Sequence, residues 1–87
     1  MSEERRAVDE LITTLKQMRD EIKLKVHLAN SELKGEWNKL DDRYQQLVKQ
    51  YNPAKEAAAE ASAGIWQSLK SVGEEIRTGF KKIRDAL

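Results

Sequence analysis

Residues 50–56, QYNPAKE, contain the only proline of the 87-residue chain. Asparagine is a favoured helix N-cap, and proline is tolerated at the first position of a helix because its missing N–H has no helical acceptor there. The residue before a proline is also driven out of the α region. We therefore expect a turn at Asn52, where one helix ends, and a second helix that begins at Pro53.

A single apolar stripe runs upstream of this turn and predicts one long helix, helix 1, over residues 3–51. Its members recur in steps of three or four residues, with an average of about 3.6, which is the α-helical period. Asn30, Ser31 and Gly35 could interrupt this helix, and a break there would give three helices instead of two. Because the stripe passes through them without a change of phase, we expect helix 1 to be unbroken.

The segment after the turn, residues 53–86, repeats its apolar pattern every eleven residues and is expected to form helix 2. Eleven residues complete three turns at about 3.67 residues per turn, so the stripe stays on one face. Gly64, Gly73 and Gly79 lie within it, although each glycine costs about 1 kcal/mol against alanine in a helix. A close partner helix or a membrane surface would explain them. A short turn makes the helices antiparallel, with Trp37 opposite Leu69.

The expected fold is all-α, a single domain over residues 1–87 formed by an antiparallel, coiled-coil-like helical hairpin. Helix 1 is the longer helix, so its first turns extend beyond helix 2 with aliphatic side chains that a monomer could not bury. Two further leucines lie roughly opposite the seam. We therefore expect a homo-oligomer, such as a dimer of hairpins, or a larger protein complex. The expected partner-binding residues are Val8, Leu11, Ile12, Leu15, Leu24 and Leu28.

Helix 2 also supports an alternative function, binding to the surface of an anionic membrane. Basic side chains flank its apolar face, as in helices that lie in the membrane interface. A packing face flanked by solvated charges has the same appearance and is more common. The residues that would bind lipid are Trp66, Lys70, Arg77, Phe80, Lys81 and Arg84.

The composition argues against several other classes of protein. Sixteen basic and fifteen acidic residues leave a net charge of +1, which does not favour nucleic acid as a partner. The chain has no cysteine, and His27 is its only histidine, so we expect no transition-metal site. No apolar stretch is long enough to span a membrane, and the first residues do not resemble a secretory signal. The expected location is the cytoplasm or the periphery of the inner membrane.

No residue pattern indicates catalysis. Adjacent carboxylates such as Asp41 and Asp42 point about 100° apart on a helix and do not form a clamp. There is no Glu-x-x-His pair for a di-iron centre, and the glycines do not match a phosphate-binding loop. We expect no catalytic residue, no cofactor and no metal, and thus a protein that is not an enzyme. The expected function is structural, or that of an adaptor, through helix–helix contacts.

Two segments, EWNKLDDRYQQL (residues 36–47) and SAGIWQSLKSVGEEIRTGFKKI (residues 62–83), resemble a loose family of small bacterial coiled-coil proteins. Members of that family are described as hypothetical or stress-associated. Their pattern has Glu-Trp-x-x-Leu in a long first helix and Gly-x-x-Trp-x-x-Leu-Lys units that repeat every eleven residues in the second. The resemblance implies a helical hairpin and no particular activity. The matching positions are Glu36, Trp37, Leu40, Trp66, Leu69 and Lys70.

Overall fold

The computed structural model describes residues 3–56 and 63–87, apart from the side chains of residues 4 and 63. They form three α-helices, α1 (Glu3–Lys25), α2 (Ser31–Glu56) and α3 (Ala63–Ala86), with a 3₁₀ turn at Val26–Leu28 between the first two. No described residue lies in a strand. The all-α prediction is confirmed, and the two-helix hairpin is corrected to a bundle of three helices.

The chain passes up, down and up through this bundle, so α1 and α3 are parallel and α2 is antiparallel to both. Asp9 in α1 is hydrogen-bonded to Tyr51 in α2, and Arg19 is paired with Asp41. Tyr51 also contacts Trp66 near the start of α3, with 6.3 Å between the ring centroids. The bundle measures 44 × 17 × 17 Å, and α3 packs more extensively against α1 than against α2.

The prediction of an unbroken helix 1 is wrong, because the chain bends between Val26 and Asn30. The Leu33 amide donates to the Asn30 side-chain oxygen at 2.8 Å, and the Lys34 amide donates to the Asn30 carbonyl at 3.0 Å. Asn30 is therefore the N-cap of α2. Ala29 is extended, with φ −79° and ψ 160°. The bend lets α1 fold back along α2 and α3, where it buries its apolar stripe.

The core combines one face of each helix. Most of its buried apolar side chains come from the predicted stripes, at the spacing of three and four residues that keeps them on one side. Ala54 and Trp66 lie outside those stripes, and Ile65, which the stripe of helix 2 includes, is 46% exposed. Burying a large aliphatic or aromatic side chain contributes about 1.5–3 kcal/mol, which outweighs the loss of a few helical hydrogen bonds at the bend. The core residues are Val8, Leu11, Leu15, Met18, Ile22, Trp37, Tyr44, Leu47, Tyr51, Ala54, Trp66, Leu69, Ile76, Phe80 and Ile83.

The predicted turn at Asn52 is also wrong, since α2 continues through Pro53 to Glu56. Tyr51 and Ala54, three residues apart on the core face, are both buried. A helical path through the proline is what keeps both of them on that face, so packing outweighs the local cost of the missing N–H. Residues 53–56 thus belong to α2 and not to helix 2. Residues 57–62, which the prediction places in helix 2, lie outside the described residues.

Two of the glycines of α3 allow close helix packing. A Cβ added at Gly73 would overlap Leu11 Cδ2 of α1 and lie 3.1 Å from Leu11 Cγ, and a Cβ at Gly79 would lie 2.7 Å from both methyl groups of Leu40 in α2. These two positions have no room for a side chain unless a leucine moves. The glycines are therefore explained by packing within the chain, and Gly64, near the start of α3, is exposed.

The register between α2 and α3 differs from the predicted one by one repeat. Trp37 packs against Phe80, with 5.5 Å between the ring centroids, and not against Leu69. Phe80 follows Leu69 by eleven residues and occupies the same position in the repeat. Because α2 extends past Asn52, the pairing of α2 with α3 is shifted by eleven residues along α3. Apolar residues of the two helices still lie opposite each other after this shift.

Candidate interaction surface

Leu24 and Leu28 are the large apolar side chains that the bundle leaves most exposed. Leu24 in α1 is 76% exposed, and Leu28 in the 3₁₀ turn is 79% exposed. Leu24 follows the fully buried Ile22 by two residues, which turns it to the opposite side of the helix. The two leucines are four residues apart, with Leu24 just before the bend and Leu28 within it. Their exposure agrees with their place opposite the apolar stripe. We call them the leucine pair.

A cavity of about 420 Å³ opens at the same end of the bundle, between the bend and the last residues of α3. Leu28 and Leu33 line it from one side and Leu87 from the other, and Leu87 itself is 41% exposed. This end cavity extends the apolar surface of the leucine pair across the end of the bundle. Its remaining lining residues are Lys25, Ala29, Asn30 and Ala86.

The start of α1 does not overhang, contrary to prediction. Val8, Leu11 and Leu15 are buried in the core, and Ile12 is half-buried against it. They are covered because α3 runs parallel to α1 from its first turns. Exposure was the reason to expect a partner on these four residues, and the fold removes that reason.

The two aromatic residues expected to bind lipid lie inside the bundle. Trp66 is 2% exposed and packs between Tyr51 and Arg5, whose guanidinium lies 5.8 Å from its ring. Phe80 is fully buried, between Trp37 at 5.5 Å and Tyr44 at 6.4 Å. Neither ring can reach a membrane unless α3 separates from the other helices.

The basic residues expected to bind lipid line the groove between α1 and α3. Arg77 and Lys81 are exposed, and Lys70 and Arg84 are half-buried. The groove contains adjoining cavities of about 580 and 230 Å³, and Arg77 borders both. The α3 side is thus basic and the α1 side mainly polar or acidic. The α1 residues in the larger cavity are Thr14, Gln17, Met18 and Glu21.

Ion pairs that the sequence does not predict connect the helices in the described part of the chain. Arg19 of α1 pairs with Asp41 of α2, and its guanidinium lies 5.4 Å from the Tyr44 ring. The hydrogen bond to Asp41 raises the pKa of Arg19 above the ordinary value of an arginine. Arg43 of α2 pairs with Glu75 of α3 at 2.7 Å on the exposed surface. Opposite charges occur at many positions of a charged helix, so the sequence gives no signal for a particular pair until the register is known.

Tyr51 holds its phenol in the neutral form. Burial, followed by the hydrogen bond that its hydroxyl donates to Asp9, raises the pKa of Tyr51 from 10.0 to about 12. The pKa of Tyr44 is also raised, mainly by burial. Both tyrosines contact neighbouring helices, and their environments favour the protonated phenol.

The described residues contain no group of three or more His, Cys, Asp or Glu side chains that could hold a metal ion. His27 is exposed in the 3₁₀ turn. Within the same residues, every helix is too short or too polar to cross a membrane. Among the described residues, the leucine pair with the end cavity and the groove between α1 and α3 offer surfaces for an interaction.

Neither a protein-family model, nor a curated protein, nor a solved structure matches the chain. The resemblance to small bacterial coiled-coil proteins therefore stays a prediction.

Proposed function

We propose that this chain is a non-enzymatic structural or adaptor protein that acts through contacts of its helices with another protein. The observation that carries the proposal is the leucine pair, two aliphatic side chains that are 76% and 79% exposed. Burying such a side chain contributes about 1.5–3 kcal/mol, so a partner that covers both gains a substantial part of the free energy of a specific complex. Contiguous exposed apolar surface commonly marks an interaction site.

The end cavity supports this proposal because it adds a concave site beside the exposed leucine pair. A side chain of the partner can enter between Leu28, Leu33 and Leu87 while its neighbours cover Leu24. Lys23, Lys25 and His27 surround the leucine pair along the chain, and such polar rims are typical of protein interfaces. The site thus has an apolar centre and a polar edge.

Photo-cross-linking tests the proposal directly. A photoreactive amino acid is placed at Leu24 or Leu28, with Lys16 as the matched position, because Lys16 is exposed on α1 but far from the end cavity. We expect adducts from positions 24 and 28, either to a second copy or to another protein, and few from position 16. An excess of wild-type protein should compete, whereas an excess of the Leu24→Gln/Leu28→Gln variant should not. Equal yields from all three positions would refute the proposal.

The second candidate function is binding to an anionic membrane surface, favoured by the position of Arg77 and Lys81 on the exposed side of α3. Because Trp66 and Phe80 are core residues, insertion requires the bundle to open. Co-sedimentation with vesicles of anionic phospholipid separates the two functions. Binding that weakens with salt and shifts Trp66 fluorescence to shorter wavelength supports membrane association. No binding, in the presence of cross-linking at the leucine pair, supports the protein–protein function.

A further inference from the structure

We infer that this chain exchanges α1 with a second copy: the bend at residues 26–30 straightens into helix, and the α1 of each copy packs on the α2 and α3 of the other. The inference concerns a partner and a surface different from the leucine pair. The surface is the one that α1 covers in the closed bundle, and the partner is the α1 of a second copy.

The apolar stripe crosses the bend in helical register. Ile22, Val26, Ala29 and Leu33 follow each other in steps of four, three and four residues, which is the spacing of one continuous helix. In the bent chain Val26 and Leu33 pack against the core, and the same phase also suits a straight helix. The register is therefore compatible with two states, a bent one and a straight one.

Outside the hydrogen bonds of the helices and the 3₁₀ turn themselves, few hydrogen bonds hold the described bend. They are the bond from the Ala29 amide to the Val26 carbonyl and the two bonds that Asn30 accepts at the start of α2. Val26 and Leu33 also pack, half-buried, against the core. No described residue has a positive φ, so no residue of the bend is locked into a backbone shape foreign to helices. Straightening exchanges a cap for the helical hydrogen bonds of an uninterrupted helix.

The contacts between α1 and α2 have the symmetry that an exchange needs. Asp9 and Tyr51 are separated by 42 residues, and Arg19 and Asp41 by 22 residues, and residue 30 is the midpoint of both pairs. Two straight helices related by a two-fold axis near Asn30 therefore form the same two pairs between copies. Because α1 contacts are re-formed with the second copy, the closed and exchanged states differ chiefly at the bend. Such an exchange is a low-cost route to a dimer.

The exchange does not rest on the proposed function, although straightening the bend reshapes the end cavity that the bend lines. Leu24 and Leu28 lie opposite the stripe that carries Ile22 and Val26, so straightening does not cover them. A dimer of closed bundles held by the leucine pair and an exchanged dimer are two distinct assemblies. Ser31 lies at the bend but outside the residues that line the end cavity, so its substitution distinguishes the two assemblies.

Three variants at the bend, studied by sedimentation equilibrium, give opposite expectations. Asn30→Ala removes the cap of α2 and lowers the equilibrium constant of the bent form over the straight form by about fivefold. A dimer has two such positions, so its association constant should rise by about 25-fold. Ser31→Pro places proline at the first position of α2, which suits the bent chain but interrupts the straight helix, so the dimer is lost. Ser31→Ala is the matched control, since it leaves both states accessible.

Cross-linking between chains identifies the kind of dimer. The Arg19→Lys variant carries an amine beside Asp41, and a carbodiimide joins the two without a spacer. Isotope-labelled and unlabelled chains are unfolded, mixed and refolded before the reaction. We expect the dimer to give cross-linked peptides with one labelled and one unlabelled half, and the monomer to give uniformly labelled or unlabelled pairs.

Three results would overturn the inference. The first is a dimer whose 19–41 cross-links stay within one chain, and the second is a dimer that persists in folded Ser31→Pro protein. The third is the absence of a dimer for Asn30→Ala at every concentration reached. If a dimer of the first kind is lost in Leu24→Gln/Leu28→Gln, the leucine-pair interface still stands. If circular dichroism shows that Ser31→Pro does not fold, the cross-linking of labelled and unlabelled Arg19→Lys chains, whose bend is unaltered, still tests the exchange.

Discussion

Substitution of single glycines by alanine measures how tightly α3 is packed. Gly35 is the reference, because it is exposed within α2, and a Cβ there meets no atom of the described residues within 4 Å outside its own helix. Gly35→Ala should therefore gain the full helix propensity, and raise the free energy of unfolding by about 1 kcal/mol. The same gain is available at Gly73 and Gly79, where a steric cost opposes it.

At Gly73 the added methyl group overlaps Leu11 Cδ2, stands 3.1 Å from Leu11 Cγ and reaches Leu47 Cδ2 at 3.6 Å. Both leucines are buried, so Leu11 cannot simply turn away. Overpacking of a core costs about 1–3 kcal/mol. After the propensity gain, Gly73→Ala should lower the free energy of unfolding by up to about 2 kcal/mol. At Gly79 the opposing side chain is the half-buried Leu40, which has room to turn, so Gly79→Ala should fall between the other two variants.

Urea unfolding followed by circular dichroism provides the comparison, with the slope of the transition as a check that the states are unchanged. Combining Gly73→Ala with Leu11→Ala should cost less than the two single changes together, because the smaller side chain removes the overlap. A Gly73→Ala protein that is as stabilised as Gly35→Ala would contradict the close approach of α1 and α3 at this point.

Three further predictions concern the contacts between helices. The raised pKa of Tyr51 stabilises the fold below about pH 10. This contribution, of the order of 2 kcal/mol, should disappear between pH 10.0 and about 12, because the unfolded chain ionises first. Urea unfolding at increasing pH would show this loss for the wild-type protein and not for Tyr51→Phe. Arg19→Ala should lower the free energy of unfolding by about 1.5–3 kcal/mol, whereas Arg43→Ala, which breaks an exposed ion pair, should lower it by less than about 1 kcal/mol. Similar losses for the two variants in thermal unfolding would contradict the difference in burial between the two pairs. Phe80→Ala should cost about 3–5 kcal/mol in urea unfolding, whereas Leu24→Ala should stay within about 0.5 kcal/mol, and a large loss at Leu24 would mean that it is covered.

The apolar faces of most helical segments could be predicted from the sequence, because a period near 3.6 residues identifies the buried face of a helix whichever helix packs against it. The register could not. Leu69 and Phe80 are equivalent in the eleven-residue repeat, so pairing Trp37 with either one satisfies the pattern. Only the position of the connection between α2 and α3 distinguishes them, and the proline signal at Asn52 and Pro53 placed that connection too early.

The bend at Asn30 illustrates a second limit of sequence reasoning. Asparagine followed by serine is compatible with an N-cap, yet the stripe through Val26 and Leu33 is equally compatible with a continuous helix. The balance is set by packing, since folding back buries the first turns of α1 against α3. The same error produced the expected overhang, and with it four of the six partner-binding residues. The exposure of Leu24 did not depend on the bend, because it follows from the outer face of α1, and Leu28 is exposed in the turn itself.

Native-state hydrogen exchange of the individual amides tests most directly whether α1 is folded back on α2 and α3. Leu11 and Leu15 lie in the core, so their amides should exchange as slowly as that of Ile76 in the middle of α3, through opening of the whole bundle. The amides of Ala29 and Asn30 should be far less protected. Fast exchange throughout residues 3–17, with slow exchange in α2 and α3, would show that α1 is not part of the bundle and would contradict the account.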